Sequence, residues 1–482
     1  MQTFPSHSFE AIRHNIIGID HMISTPYGQQ RLLYADWAAS GRLYRPIEDK
    51  LTNEFGPMIA NPHTELSATG LATTRAYEEA KHIIKSHVGA TDDDVLLFSG
   101  PGMTSAVCKF QRLLGLKQQT PPPSLKPIVF VTHMEHHSNH TTWTETNADV
   151  VVIPPDEDGR VSSAILVALL HTYRDRPLKY GAFTAASNVT GVITPYGELA
   201  KVLHKHNGYC FVDFSACAPY VEINMHPADE AERLDAIFMS PHKFLGGPGS
   251  SGIVIFNRGL YQRSQSAPDH PGGGTVLWTN PWGEKRYIED IERREDGGTP
   301  GFMQAIRTAL ALRLKEQMGI DAISAQEKRL TDTLIQRLSS IPNVHILDGH
   351  LTNRIGIVSF YMKEISHNLV VRLLNDRYGI QARGGCSCAG TYGHYLLGIS
   401  RSASKAITDR IDTGELGAKP GWIRLSLHPT MTIEEIHFIA EAVRNIAAYA
   451  SSWANEYVYD RITGIYRHPN EPNMDIAARF EL

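Results

Sequence analysis

Cysteine is scarce in this chain, and no apolar run approaches the length of a membrane span. Five cysteines in 482 residues, an odd number, do not make the disulfide framework of a small secreted fold, and reduced thiols fit the cytosol. About 20 consecutive apolar residues are needed to cross a bilayer, and no stretch supplies them. Met1 to Glu10 hold no apolar segment of the kind a secretory signal requires. Blocks of basic residues are likewise missing and the net charge of −5 is modest, so nothing marks a nucleic-acid-binding surface. No Gly-Lys-Ser/Thr follows the glycine turn at Gly100–Gly102, which excludes the nucleotide P-loop. The histidine-rich stretch His133–His140 lacks the helical His-Glu-x-x-His spacing of a zinc peptidase, so no metal is expected. The composition agrees with a cytoplasmic globular enzyme, long enough for two cores, with 42% hydrophobic residues to fill them.

Against these absences one lysine stands out. Leu234 to Met239 reads as a short apolar strand, Gly246, Gly247 and Gly249 as a tight turn, and Ile253 to Phe256 as a returning strand. Lys243 lies between the first strand and the turn, where partial loss of solvation favours the neutral amine and Schiff-base formation with an aldehyde cofactor such as pyridoxal phosphate. The alternative is a solvated lysine beside a glycine turn. Thirty residues upstream, Tyr209-Cys210-Phe211-Val212-Asp213 is a buried strand ending in a carboxylate, which either opens a turn or pairs with a cation such as a pyridinium nitrogen. Val95 to Phe98, Ser99-Gly100-Pro101-Gly102 and the helix expected from Met103-Thr104 onward form a strand, turn and helix N-terminus. Its amides, with the Thr104 hydroxyl, would suit a phosphate, although such junctions are commonly structural. Among the histidines, an imidazole stacked on an aromatic cofactor fits better than a metal ligand; surface or hydrogen-bonded roles are the alternatives.

Taken together, these residues resemble the class V, fold-type I pyridoxal-phosphate enzymes, and within them the cysteine desulfurase and selenocysteine lyase branch. The resemblance runs nearly end to end: Tyr34 to Ser40, Gly102-Met103-Thr104, Glu135 to Asn139, Ser187 to Gly191, Asp213, Ser240-x-His242-Lys243 and Gly298-Thr299-Pro300 occur in order. It implies that Lys243 carries the cofactor, Asp213 pairs with its ring nitrogen, His136 stacks on the ring, and Asn188 lies near the phenolic oxygen. It further implies a phosphate cup of Thr104, Ser240 and His242, with Thr299 contributed by the neighbouring subunit of a homodimer, and Met103 among the cofactor-binding residues. One position departs from the pattern. Ala216 stands where these enzymes have Gln three residues after the Asp, which removes a contact to the phenolic oxygen; Ser215 or a water is left to replace it.

Gln381 to Gly390 separates the possible activities. The branch's pattern of an Arg, four residues, then the Cys starts at Arg383, a residue expected to bind substrate, selects Cys388 as the sulfur acceptor and leaves Cys386 where cysteine is unusual. A nearby cation favours the thiolate, and the flanking glycines let the loop move. A Cys-x-Cys metal half-site is the alternative, although Cys108, Cys210 and Cys217 all lie in apolar contexts. In Gly421 to Leu427, Arg424 is a cation among apolar neighbours and needs an anion. The resemblance makes that anion the substrate α-carboxylate; the alternative is a protein carboxylate.

The expected fold class is α/β, a fold-type I transferase with a large, mostly parallel-sheet cofactor domain at 30–312 and a smaller α+β domain from 1–29 and 313–455. Residues 456–482 form an extension of unassigned role. Gln118 to Pro127 reads as a surface insertion. The expected activity is release of alanine from L-cysteine or L-selenocysteine with a persulfide formed on Cys388, and with a possible sulfur-acceptor protein as partner. Two readings compete with it. One is an aminotransferase, epimerase or other lyase that uses Lys243 and Asp213 without Cys388. The other is an interaction protein that binds the cofactor but does not turn over.

Overall fold

The computed structural model describes residues 7–117, 122 and 125–481; most of the proline-rich insertion and the first six residues lie outside them. Packing divides the chain into two compact units. The first holds Asn15–Ile17 and Ala39–Ser324; the second holds Phe9–His14, Gly18–Ala38 and the residues from Ala325 onward.

The first unit is built on a seven-stranded sheet of β1 (Asp94–Ser99), β2 (Ile128–Thr132), β3 (Asp149–Ile153), β4 (Lys179–Thr184), β5 (Tyr209–Asp213), β6 (Ala236–Met239) and β7 (Gly252–Asn257), in the order β1-β7-β6-β5-β4-β2-β3. Strands β2, β4 and β6 are buried along their whole length, as expected of strands covered on both faces. All neighbours from β6 to β3 are parallel. Strand β7 alone runs against its neighbours, because the link from β6 is spent on a 3-10 turn and a glycine loop and holds no crossover helix. Helix α1 (Ala68–His87) packs on α3 (Phe302–Met318), and α2 (Met103–Leu113) follows β1. Helix α2 buries Met103, Ala106, Val107, Phe110 and Leu113, one face at helical spacing. Phe110 meets Phe211, Phe238 and Phe256 with ring centroids 5.0, 5.7 and 5.2 Å apart.

In the second unit β8 (Val344–Ile346), β9 (Ile357–Met362), β10 (Arg383–Gly385) and β11 (Trp422–Ser426) form an antiparallel sheet in the order β8-β9-β11-β10. Residues 30–38 belong here rather than with the cofactor domain, because Leu33–Tyr34 pairs in parallel with Ile380–Gln381. At the other boundary α3, beyond the expected limit at residue 312, stays in the first unit with α1. The extension also belongs to the second unit. Its hairpin Val458–Asp460/Ile465–Arg467 covers α4 (His367–Tyr378) through Asn368 Nδ2 donating to Gly464 O at 2.8 Å, Arg372 to Glu471 at 2.8 Å, and Tyr457 Oη donating to Asp376 at 3.1 Å. Among the described residues no helix is long and apolar enough to cross a membrane.

Candidate functional site

Five parallel strands of the first unit deliver chemistry at their carboxyl ends, where open α/β sheets bind ligands. Gly102 to Thr104 follow β1, His136 follows β2, Asn188 follows β4, Asp213 closes β5, and Lys243 ends the turn after β6. Asp213 is 4% exposed. It accepts the Ser215 N–H at 2.8 Å, and burial raises its pKa above the ordinary range against the opposing pull of that bond and the charge of Lys243. A carboxylate in such a position calls for a cation. Lys243 is half-buried.

The expected phosphate cup is assembled by hydrogen bonds. Ser240 Oγ accepts the Met103 N–H at 3.0 Å and donates to Ser215 Oγ at 3.2 Å, which ties the first turn of α2 to the segment that holds Asp213. The Ser215 hydroxyl is thus engaged with Ser240. His242 Nδ1 lies 3.1 Å from Pro101 O, and burial lowers the His242 pKa against the pull of that contact. Thr104 Oγ1 and Ser138 Oγ are 2.6 Å apart, while His136 Nδ1 accepts the Ser138 N–H at 3.1 Å and caps the helix His137–Thr144. Backbone fit is close: a Cβ on Gly252 would lie 2.1 Å from Gly102 O, so only glycine is accommodated there. A cavity of about 700 Å³ opens beside the cup, lined by Gly102, Thr104, His242, Ser250 and Gln304 among others. Thr299 is not in its lining; it is exposed, with its hydroxyl 3.4 Å from Asn61 Oδ1.

Two residues of this region were not singled out from sequence. Ser250 is 3% exposed and its hydroxyl lacks a hydrogen-bond partner among the described residues; no pattern in the chain marks it. Glu135, just before His136 in the chain, accepts the Thr132 hydroxyl at 2.6 Å, the Thr184 N–H at 2.9 Å and Asn139 Nδ2 at 2.8 Å. These donors work against burial, which pushes its pKa up to about 8. They tie the ends of β2 and β4 to the helix that His136 caps.

The second unit gathers Arg383, Arg424 and Cys388. Arg383 sits directly opposite Arg424 in the β10–β11 register, a like-charge pair that repels unless neutralised. Asp36 neutralises it, Oδ1 accepting from Arg424 Nη2 at 2.9 Å and Oδ2 from Arg383 Nη2 at 2.9 Å. A bridge between Asp36 and Ser426 sets the carboxylate there. The buried Arg424 thus has a protein carboxylate as its anion. Burial still lowers its pKa, opposed by Asp36.

Cys388 is exposed and lies just beyond β10, the strand that carries Arg383. It lies in a tight turn closed by Ala389 N–H to Cys386 O at 3.0 Å. Ser387 (φ 50°) and Cys388 (φ 56°) are both left-handed, each a strain of about 1–2 kcal/mol for a residue other than glycine. The Trp422 indole N–H donates to Ser387 Oγ at 3.2 Å and steadies the turn. Among the described residues no group of three or more His, Cys, Asp or Glu side chains is placed to hold a metal ion.

The family model described as aminotransferase class-V matches residues 33–439. The chain belongs to that family. Similar class-V relatives include a probable cysteine desulfurase of Halobacterium salinarum, 29% identical over 380 residues that cover 78% of this chain and 87% of the relative. A cysteine desulfurase of Haloferax volcanii is 26% identical over 377 residues, covering 77% and 84%. Among solved structures, the apo cysteine desulfurase of Thermococcus onnurineus shares the fold with a TM-score of 0.73 at 22% identity, over 91% of this chain and 98% of that one. The cysteine desulfurase CsdA of Escherichia coli gives 0.71 at 19% identity, over 93% and 100%.

Class-V enzymes depend on pyridoxal phosphate, and the first unit fits that group on its own evidence. Asp213 is a buried carboxylate that calls for a cation. The cup offers a helix N-terminus with hydroxyls around it, and the Ser250 hydroxyl is buried in the adjoining cavity with no hydrogen-bond partner among the described residues.

Proposed function

We propose that the protein is a pyridoxal-phosphate-dependent cysteine desulfurase that takes sulfur from L-cysteine onto Cys388 and releases L-alanine. The observation that carries this reading is the exposed Cys388 thiol on a strained turn that directly follows β10, the strand of Arg383. Relatives named cysteine desulfurase, matched over more than three quarters of the chain, support it.

Lys243 would hold the cofactor covalently, Asp213 its ring nitrogen, His136 its face and Asn188 its phenolic oxygen. Met103, Thr104, Ser240 and His242 would hold the phosphate, with Thr299 of a second copy completing the cup. When bound, the group supplies an electron-accepting ring that makes the substrate's Cα–H acidic and its sulfur able to leave.

The residues then divide the work. Arg424 binds the α-carboxylate and orients the Cα–H bond. Lys243, once released as a free amine, takes the Cα proton. The Cys388 thiolate attacks the substrate sulfur; the substrate C–S bond breaks, an S–S bond forms on Cys388, and the carbon skeleton leaves as alanine after protonation. The attack needs the two sulfurs within about 3–3.5 Å, which turn motion must provide.

The test is sulfide and alanine released from L-cysteine by the pyridoxal-phosphate-loaded protein with a reducing thiol present, beside its Cys388→Ser variant. Equimolar products lost in the variant support the reading. Full sulfide release by the variant, or none from the loaded protein, overturns it and points to an aminotransferase or another lyase.

A further inference from the structure

The tight turn that carries Cys388 carries a second thiol. Cys386 is the first residue of the turn and Cys388 the third, with the closing hydrogen bond from Ala389 N–H to Cys386 O and both central residues left-handed, the backbone sign of a primed turn. Two residues apart in a tight turn, their Cα atoms lie about 5–6 Å from each other. A disulfide spans that separation without moving the backbone far. Cys386 is half-buried where Cys388 is exposed, and neither is joined in a disulfide. The remaining cysteines, Cys108, Cys210 and Cys217, all belong to the first unit. No metal cluster among the described residues claims the pair.

We propose that Cys386 is the resolving thiol of the persulfide formed on Cys388, an inference that rests on the desulfurase reading above. The Cys386 thiolate attacks Cys388 Sγ, the bond from Cys388 Sγ to the terminal sulfur breaks, and hydrosulfide leaves with the electron pair. The product is a Cys386–Cys388 disulfide, so no outside oxidant enters. The two electrons that reduce the sulfane sulfur to sulfide come from the cysteine pair. A dithiol reductant returns both residues to thiols before the next turnover. A persulfide is a substrate for thiol–disulfide exchange like any disulfide, and hydrosulfide is a weakly basic leaving group. The enzyme would therefore release one sulfide per site with no acceptor present and then stop until it is reduced.

The experiment is a single turnover of the loaded, fully reduced enzyme with L-cysteine, without added thiol and without oxygen. Alanine, sulfide and the mass of the tryptic peptide Gly384–Arg401, which contains both cysteines, are read together. Wild type is expected to yield one alanine and one sulfide per site and a peptide lighter by two hydrogens. Cys386→Ser, and Cys386→Ala as a second variant, are expected to yield the alanine but no sulfide, with the peptide heavier by one sulfur, and to release sulfide when a dithiol is added. A wild-type peptide heavier by one sulfur with no sulfide released overturns the proposal, as does thiol-free sulfide release by the Cys386 variants. Alanine reports separately on the underlying reading. Its persistence in Cys388→Ser, or its absence in wild type, sinks the desulfurase assignment and this inference with it.

Discussion

Replacing Asp36 by Asn tests whether one carboxylate holds the cation pair of the second unit together. The side chain of Arg424 is 4% exposed and that of Asp36 13%, whereas that of Arg383 is 48% exposed. The two ion pairs therefore differ in weight. Removing one partner of a buried pair leaves an uncompensated charge and costs about 3–5 kcal/mol. The half-exposed Arg383 pair contributes no more than about 1 kcal/mol. Loss of the anion also leaves Arg383 and Arg424 facing each other across β10 and β11, which adds repulsion. A total near 4 kcal/mol corresponds to a fall in Tm of about 8–16 °C for a unit of this size. Urea denaturation of the loaded protein, followed by the change in midpoint at constant m, gives the energy. Arg383→Gln should cost about 1 kcal/mol or less. Arg424→Met combined with Asp36→Asn should be no less stable than Asp36→Asn alone, a coupling of about 2 kcal/mol or more. A cost below 1 kcal/mol for Asp36→Asn, or equal costs for the two arginines, would refute the reasoning.

Further consequences can be measured in the same way. Asp213→Asn should weaken pyridoxal-phosphate binding at least about tenfold by loss of a charge-assisted bond, read as Kd from an absorbance titration; an unchanged Kd removes Asp213 from the cofactor site. Gly252→Ala forces a Cβ to 2.1 Å from Gly102 O and should cost about 1–3 kcal/mol while weakening cofactor binding, whereas Gly273→Ala, with nothing within 4 Å, should leave both unchanged. Glu327 is buried, accepts a bond from the Gly356 N–H, and has its pKa raised to about 8 by burial, with Oε1 lacking a partner among the described residues. Between its ordinary carboxylate range and pH 8 the folded state keeps a proton that the unfolded state releases, so stability is fully present below that range and is lost as pH rises through 8. Glu327→Gln should flatten this part of the stability profile, and a variant with the wild-type slope between pH 5 and 8.5 contradicts the assignment.

The parts of the molecule written in short stretches of sequence are legible in the sequence itself. Strands β2, β4 and β6 are contiguous apolar runs, and the turns after β1 and β6 are spelled out by glycines, so the carboxyl-end cluster of Gly102, Asp213 and Lys243 follows from local pattern and from the rule for parallel sheets. What depends on distant pairing was not readable in this way. Asp36 reaches Arg424 across 388 positions, and no local periodicity reports which of many carboxylates fills that place. The unit boundary near residue 38 was missed for the same reason, since the edge strand Leu33–Tyr34 finds its partner at Ile380–Gln381. Glu135 was visible as a residue of a motif, but its convergent donors come from Thr132, Asn139 and Thr184 and exist only once β2 and β4 are adjacent.

The pairing of Arg424 with Asp36 bears directly on the proposed carboxylate clamp. Sequence reasoning demands an anion for a buried arginine, and the fold supplies one internally, so a substrate carboxylate must add to a site whose two cations are already partly neutralised. Two arginines and one aspartate carry a net charge of +1; Asp36→Asn raises it to +2. If Arg424 is the clamp, the variant has an uncompensated cation that any small carboxylate can relieve, and the product L-alanine should stabilise it more than it stabilises wild type. A tenfold tighter Kd, about 1.4 kcal/mol, is a modest part of the roughly 3 kcal/mol that one added charge contributes at about 5 Å with an effective dielectric of 20. The gain in Tm with L-alanine concentration should then be larger in the variant and should shrink as salt is raised. L-Alanine amide, which lacks the carboxylate, should give no such difference. Equal stabilisation of variant and wild type by L-alanine would mean that the carboxylate binds elsewhere, and that the Arg383–Asp36–Arg424 group serves only to hold the β10–β11 edge beside the cysteine turn.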